Sequence, residues 1–192
     1  MQIDDQAWLV EAAHCPSPNR DERPSGIDIE LLVVHAISLP PGRYGGGFVQ
    51  DFFCNRLPVN AHPYFAEIAA MRVSAHCLIE RDGRITQFVS FDDRAWHAGV
   101  SCWNGRECCN DFSIGIELEG CDDDGFESIQ YEQLARLAIA LGRRYPALQT
   151  NSLDAAICGH SDIAPGRKTD PGPGFDWASF RLLLNNSTDA TT

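Results

Sequence analysis

The stretch Leu31-Leu32-Val33-Val34, followed by His35, is a short continuous run of apolar residues that ends in a histidine. Such a run is typical of a strand buried on both faces of a sheet, and sheets of that kind carry helices on their faces. In open α/β sheets, ligands bind beyond the carboxyl ends of the strands, and His35 lies at that end. The run therefore indicates an α/β fold and makes His35 a candidate site residue.

The remaining chain supplies further strands and helices. Residues 75–89 predict a β-hairpin, because Asp82-Gly83 at its centre favours the positive-φ turn that a hairpin needs. Apolar residues occupy every second position over 113–119, which predicts a strand. The helical spacing of apolar residues over 129–145 predicts a helix. The shorter elements expected are a helix or an ordered lead-in over 7–13, helices over 48–53, 64–71 and 176–184, and a strand over 155–158.

These elements fit one domain over residues 1–184. A chain of 192 residues is long enough to bury one core, and it contains neither internal repeats nor a linker. We predict an α/β fold in which a central mixed sheet of about five strands is flanked by helices. The small, polar residues of 185–192 predict a disordered tail.

The composition limits the classes of partner. Acidic residues outnumber basic residues by 27 to 15, which argues against nucleic acid, because its binding depends on phosphate neutralisation by Lys and Arg. No apolar run approaches the roughly 20 residues that cross a bilayer, and the first residues lack the basic and apolar regions of a signal peptide. We therefore expect a cytoplasmic protein without membrane contact, whose eight cysteines are reduced thiols rather than disulfides.

Residues 159–172, G-H-S-D-I-A-P-G-R-K-T-D-P-G, are predicted to form a loop, because proline and glycine disfavour the interiors of helices and strands. Together with His35, the loop residues His160 and Asp170 make two histidines and one carboxylate, which is the ligand set of a catalytic zinc with one position open. Asp162 is a rival ligand. His35 taken alone could equally be a hydrogen-bonded core histidine.

Five further residues are candidates for chemistry or binding. Glu117 and Glu119 share one face of a predicted strand, and one of them could be a general base. The alternation of the strand does not choose between the two glutamates. The alternative is that both lie on a solvent-exposed face of the sheet. Lys168 could be catalytic or an ordinary surface lysine. Arg72 and Arg106 are candidate clamps for a substrate anion, since guanidinium groups bind carboxylates through two hydrogen bonds; surface salt bridges are the alternative.

Six stretches, taken together, resemble the zinc amidase and peptidoglycan-recognition superfamily, and in particular its cytosolic anhydro-muropeptide amidases. The resemblance extends from about Trp8 to Phe180. The stretches are L-L-V-V-H-A-I-S-L-P-P-G (31–42), N-A-H-P-Y-F (60–65), V-S-A-H-C-L-I-E-R-D-G (73–83), R-A-W-H-A-G-V-S (94–101), C-N-D-F-S-I-G-I-E-L-E-G (109–120) and the 159–172 loop.

The resemblance implies Zn²⁺ bound by His35, His160 and Asp170, with Glu117 as general base and Lys168 stabilising the charge that develops on the amide oxygen. It implies hydrolysis of the amide bond between 1,6-anhydro-N-acetylmuramic acid and L-alanine of soluble muropeptides, in cell-wall recycling, with an indirect influence on β-lactamase induction. We expect a cytoplasmic monomer whose partner is a small soluble muropeptide.

Two positions depart from the family pattern: Ala36 follows the first ligand where Asn is frequent, and Cys108 occupies a position where relatives can carry Arg. Both departures concern substrate contacts rather than the ligand set. Trp96 and His97 are expected to form a wall that contacts the sugar or the peptide. Two other functions remain open at this point: an amidase acting on polymeric peptidoglycan, and a non-catalytic recognition module.

Overall fold

The protein is built around a central sheet that carries helices on both sides. The computed structural model describes residues 1–189, which contain ten short or long strands and five α-helices. The strands are β1 (Ala13–His14), β2 (Arg20–Asp21), β3 (Leu31–Ile37), β4 (Cys77–Ile79), β5 (Ile85–Gln87), β6 (Arg94–Ala95), β7 (Cys102–Trp103), β8 (Arg106–Glu107), β9 (Ser113–Glu119) and β10 (Ile157–Gly159). The helices are α1 (Phe48–Phe53), α2 (Pro63–Ile68), α3 (Ser128–Arg144), α4 (His160–Ile163) and α5 (Trp177–Asp189).

Six of the strands form one sheet in the order β1-β5-β4-β9-β3-β10. Only the β4–β5 hairpin is antiparallel, and Gly83 in its turn has φ 81°, as the Asp-Gly pair predicted. The neighbours β4, β9, β3 and β10 all run parallel. Their carboxyl ends therefore meet at one edge of the sheet, where a ligand site is expected. The predicted α/β fold with a mixed sheet is confirmed, with six strands instead of about five.

Burial explains why β3 and β9 lie at the centre. The first five residues of β3 and all seven residues of β9 are buried, so both strands have covered faces on both sides. On one side, α3 places Leu134, Leu137 and Leu141 in the main core and packs against α5. Each such leucine contributes about 1.5–3 kcal/mol of transfer free energy when fully buried. The central strands are thus fixed between packed layers, and the polar residues on them are held rigidly.

The ends of the chain differ in detail from the sequence prediction. Residues 7–13 form an ordered lead-in and no helix, because Asp4 Oδ1 accepts hydrogen bonds from the Gln6 and Trp8 amides and fixes a turn instead. The last helix extends to Asp189, five residues beyond its predicted end. It therefore covers the first part of the predicted disordered tail, and residues 190–192 lie outside the described residues.

The eight cysteines are all unpaired. The Cys15 and Cys54 sulfur atoms lie 3.4 Å apart, at hydrogen-bond distance for two thiols and not joined by a disulfide. Within the described part of the chain, no helix is both long and apolar enough to cross a bilayer.

The guanidinium of Arg23 ties the segment before β9 to the rest of the molecule. It donates to the carbonyl oxygens of Asn110 and Asp111 at 3.0 Å each, to that of Ser113 at 2.9 Å and to that of Phe91 at 3.3 Å. Burial lowers the pKa of Arg23 to about 10, so it remains charged at neutral pH. Charge-assisted hydrogen bonds of this kind contribute more than neutral ones. Arg23 therefore fixes the start of the strand that carries the candidate base.

Replacement of this arginine should destabilise the fold. We expect Arg23→Met to lower the free energy of unfolding by about 3 kcal/mol, because several carbonyl oxygens lose a charged donor. Urea denaturation followed by circular dichroism measures the change. The control is Arg20→Met, whose exposed ion pair with Asp93 should contribute about 1 kcal/mol or less. Equal losses in the two variants would contradict the role given to Arg23.

Candidate active site

Three side chains converge at the carboxyl edge of the sheet. His35 is near the end of β3, His160 is the first residue after β10, and Asp170 comes from the following loop. Their facing atoms form a nearly equilateral triangle: His35 Nδ1 is 3.0 Å from His160 Nδ1 and 3.0 Å from Asp170 Oδ2, and His160 Nδ1 is 3.1 Å from Asp170 Oδ2. The Ser161 amide donates to the Asp170 carbonyl oxygen at 3.0 Å, which holds the loop back against α4. The three predicted ligands are therefore brought together.

The triangle fits a cation. His160 Nε2 is 3.1 Å from the carbonyl oxygen of Ala98, which can only accept, so Nε2 carries a proton and Nδ1 of the neutral ring is the atom left to bind a metal. Burial lowers the pKa of His35 to about 4, so the His35 ring is neutral at pH 7. Bare nitrogen atoms facing a carboxylate repel one another unless a positive charge lies between them. Two histidine nitrogens and one carboxylate oxygen are also the donor set of catalytic zinc, with bonds of about 2.0–2.2 Å.

The carboxylate of Asp170 is strongly favoured in its charged form. Burial raises the pKa of Asp170, but its close contacts with His160 and His35 outweigh burial and leave the pKa well below the usual range. Asp170 is therefore an anion at neutral pH, as a metal ligand must be.

Glu117 lies beside this triangle. It is the register partner of His35 across the β3–β9 pair, so the two side chains leave the sheet on the same face. Burial, reinforced by the charge of Asp170 and opposed by Lys168, holds the pKa of Glu117 well above its usual range. Its Oε2 atom is buried without a hydrogen-bond partner among the described residues. A buried polar atom without a partner indicates a group that binds there, such as a water molecule or a substrate.

These residues line one cavity of about 320 Å³, with Lys168 on its wall. The other side of the cavity is largely apolar and is formed by residues of α1, α2 and the segment after α2, among them Phe52, Tyr64, Met71 and Val73. A cavity with an apolar wall and a few converging polar groups is the usual form of a small-molecule site. Sequence reasoning missed the apolar wall, because only the packing of α1 and α2 against the sheet brings it to the ligands.

The predicted substrate residues divide into two groups. Trp96 and His97 line the cavity. Arg72 is exposed and donates to the carbonyl oxygens of Ala69 and Met71, outside the cavity lining. Arg106 lies elsewhere: its guanidinium is 2.9 Å from a Glu30 carboxylate oxygen and 4.0 Å from the centre of the Phe112 ring. The structure therefore does not support a clamp by Arg106, whose charge is neutralised on β8.

Two alternatives left open by the sequence are resolved by contacts. Asp162 is not a ligand, since its Oδ2 accepts a hydrogen bond from the Gly159 amide at 2.8 Å and caps α4. Glu119 is as buried as Glu117, but it accepts hydrogen bonds from the amides of Gly45 and Arg81 and does not line the cavity. The face of β9 that carries both glutamates is buried, so the interpretation as a solvated face is wrong.

The chain is similar to known amidases over nearly its full length. Residues 25–173 match the family model described as N-acetylmuramoyl-L-alanine amidase. A relative from Citrobacter freundii, named 1,6-anhydro-N-acetylmuramyl-L-alanine amidase AmpD, is 58% identical over 184 residues, which are 96% of each chain. The counterpart of the same name from Escherichia coli K12 is 56% identical over 184 residues, 96% of this chain and 98% of that one.

A solved structure confirms the likeness in three dimensions. A crystal structure of a selenomethionine derivative of AmpD superposes with a TM-score of 0.90 at 58% sequence identity, covering 96% of this chain and 99% of the other. The fold, the clustered ligand set and these matches agree with one another. This chain belongs to the N-acetylmuramoyl-L-alanine amidase family.

Proposed function

We propose that this protein is a zinc-dependent amidase that cleaves the bond between 1,6-anhydro-N-acetylmuramic acid and L-alanine in soluble muropeptides. The observation that carries the proposal is the triangle of His35, His160 and Asp170 with the buried Glu117 Oε2 beside it, which has no hydrogen-bond partner among the described residues. The substrate is inferred from the likeness to AmpD relatives along nearly the whole chain.

The three ligands would hold Zn²⁺, which would supply a Lewis acid and would lower the pKa of water towards about 7. Proton transfer, stabilisation of the developing charge and positioning of the substrate are assigned to residues of the protein. Glu117 lies on the same face as His35 and has a free, buried oxygen, so it can take a proton from an attacking water and return it to the leaving amine. A carboxylate whose pKa is raised by burial is a stronger base than an exposed one, which suits it to taking the proton from the water.

Lys168 supplies positive charge at the wall of the cavity. Its side chain lines the cavity together with Glu117 and Asp170 and is otherwise exposed. An ammonium there stabilises the negative charge that develops on the amide oxygen, and loss of one such partner typically costs about 10²–10³ in turnover. Trp96 presents part of its ring to the cavity while its Nε1 donates to Asp21, which fixes it as a rigid wall for the sugar or the peptide.

We infer that the enzyme works as a monomer in the cytoplasm.

Removal of the base should separate catalysis from metal binding. We expect Glu117→Gln to lower kcat by at least about 10²-fold, since general acid–base catalysis typically contributes about 10²–10⁴, while zinc content stays unchanged. Turnover and zinc content by atomic spectroscopy are measured on the same samples. The control is Glu119→Gln, two residues along the same buried strand face, which should retain most activity. Full activity of Glu117→Gln would exclude it as the base.

Removal of a metal ligand should eliminate both zinc binding and turnover. We expect His160→Ala to lose zinc on dialysis and to lose turnover with it, because two protein ligands remain. Asp162→Asn is the control from the same short helix, since the amide oxygen still caps the Gly159 amide. Retention of stoichiometric zinc by His160→Ala, or its loss from Asp162→Asn, would contradict the assigned ligand set.

The substrate is tested by comparing two substrates with the same zinc-loaded preparation. Mass spectrometry should show rapid release of the peptide from soluble anhydro-muropeptide and little release from intact sacculi. Comparable release from sacculi would identify an amidase of polymeric peptidoglycan. Binding without cleavage of either substrate would identify a recognition module and would overturn the proposal.

A further inference from the structure

The loop that follows β6 contacts both histidines of the triangle at their Nε2 atoms, which point away from the other ligand atoms. We propose that His97 is a positioning residue, which holds the ring of His35 in the orientation and tautomer that leave His35 Nδ1 free for the metal. This inference rests on the metal site proposed above. It differs from the wall role expected from the sequence, because the contact that matters is with a ligand rather than with substrate.

A continuous chain of hydrogen bonds leads away from His35. Its Nε2 atom is 3.0 Å from His97 Nδ1, and His97 Nε2 is 3.2 Å from Ser113 Oγ. Ser113 Oγ is in turn 2.5 Å from the carbonyl oxygen of Cys109. All three side chains are buried or partly buried, so bulk water does not compete for these bonds.

The chain of hydrogen bonds from His35 to Cys109 has one consistent arrangement of protons. A carbonyl oxygen can only accept, so Ser113 donates to Cys109 and its oxygen accepts the Nε2 proton of His97. His97 Nδ1 is then bare and accepts the Nε2 proton of His35. His35 Nδ1 is left bare, and it faces the other two ligand atoms. The direction of the whole chain is therefore set by the backbone carbonyl at its end.

Packing fixes the ring of His97 as firmly as the hydrogen bonds do. The ring lies directly over Gly115 of β9, where an added Cβ would be 2.3 Å from His97 Cγ. Asn110 Oδ1 accepts hydrogen bonds from the backbone amides of His97 and Ala98, at 3.1 and 2.8 Å. Position 115 must therefore be glycine, because any larger side chain would clash with the His97 ring. Asn110 holds the backbone of the loop in place.

The same loop also orients the second histidine ligand. The Ala98 carbonyl oxygen accepts from His160 Nε2 at 3.1 Å, and Arg167 donates to the same oxygen at 2.6 Å. Adjacent residues of one loop therefore fix the tautomers of both histidines, one through a side chain and the other through the backbone. Groups that orient metal ligands in this way typically contribute about 10–100-fold to metal affinity.

The proposal is tested by zinc affinity, which is measured by competition with a chromophoric chelator on zinc-free protein. We expect His97→Leu to bind zinc about 10–100-fold more weakly, because it offers no acceptor to His35. His97→Asn should stay within a few-fold of the unsubstituted protein, since its Oδ1 takes the place of Nδ1. His97→Gln, whose amide reaches the Nε2 position instead, should resemble His97→Leu. His14→Leu, an exposed histidine that contacts the Leu9 carbonyl oxygen, is the control for non-specific binding.

The outcomes separate this inference from the metal site itself. Unchanged affinity in His97→Leu, or equal losses in His97→Leu and His97→Asn, would overturn the positioning role while leaving the site intact. Absence of zinc binding by the unsubstituted protein would overturn both. A measurement independent of the variants is the ¹⁵N spectrum of the imidazole rings in the zinc-loaded protein. It should show His97 protonated on Nε2 alone, and protonation on Nδ1 would overturn the proposal.

Discussion

The parallel pairing of β3 with β9 is the constraint on which the site depends. Its register places His35 directly beside Glu117, and a shift by one residue would turn one of the two side chains to the opposite face of the sheet. The register is secured because both strands are buried and their apolar residues pack against helices. The relative position of a ligand and the candidate base is therefore set by the hydrophobic core rather than by a contact between them.

The donor atoms of the site fit a bound cation. Without one, the protein buries an anion at Asp170, two bare imidazole nitrogens and a carboxyl group on Glu117 in one small volume. Each of these groups costs free energy when it is removed from water without a partner. A dication held by the three ligand atoms would compensate all of them at once and would favour the charged form of the nearby Glu117 carboxyl group. The surrounding hydrogen bonds are formed in the orientation that this requires.

The sequence predicted much of this arrangement because the local patterns and the tertiary structure agree. The apolar run before His35 predicted a buried strand, and Asp82-Gly83 predicted the hairpin turn; both are confirmed. The three ligands were predicted from their residue types, and the structure brings them within contact distance. In contrast, the placement of Arg106 depends on a neighbour, Glu30, that is distant in the chain and gives no sequence signal. The roles of Asn110 and Ser113 were also missed, because they act through loops that only the folded chain brings together.

Glu117 and Glu119 show why periodicity alone does not identify a functional residue. They lie two positions apart on the same strand face and are equally buried, so neither alternation nor burial distinguishes them. Their hydrogen bonds do: Glu119 accepts from two backbone amides and thereby fixes the glycine-rich segment at Gly45, whereas Glu117 retains a buried oxygen without a partner. A fully bonded carboxylate stabilises the fold and has little capacity left for a substrate. The unsatisfied group is destabilising unless something binds to it, and that deficit is the physical reason why Glu117 rather than Glu119 is the candidate base.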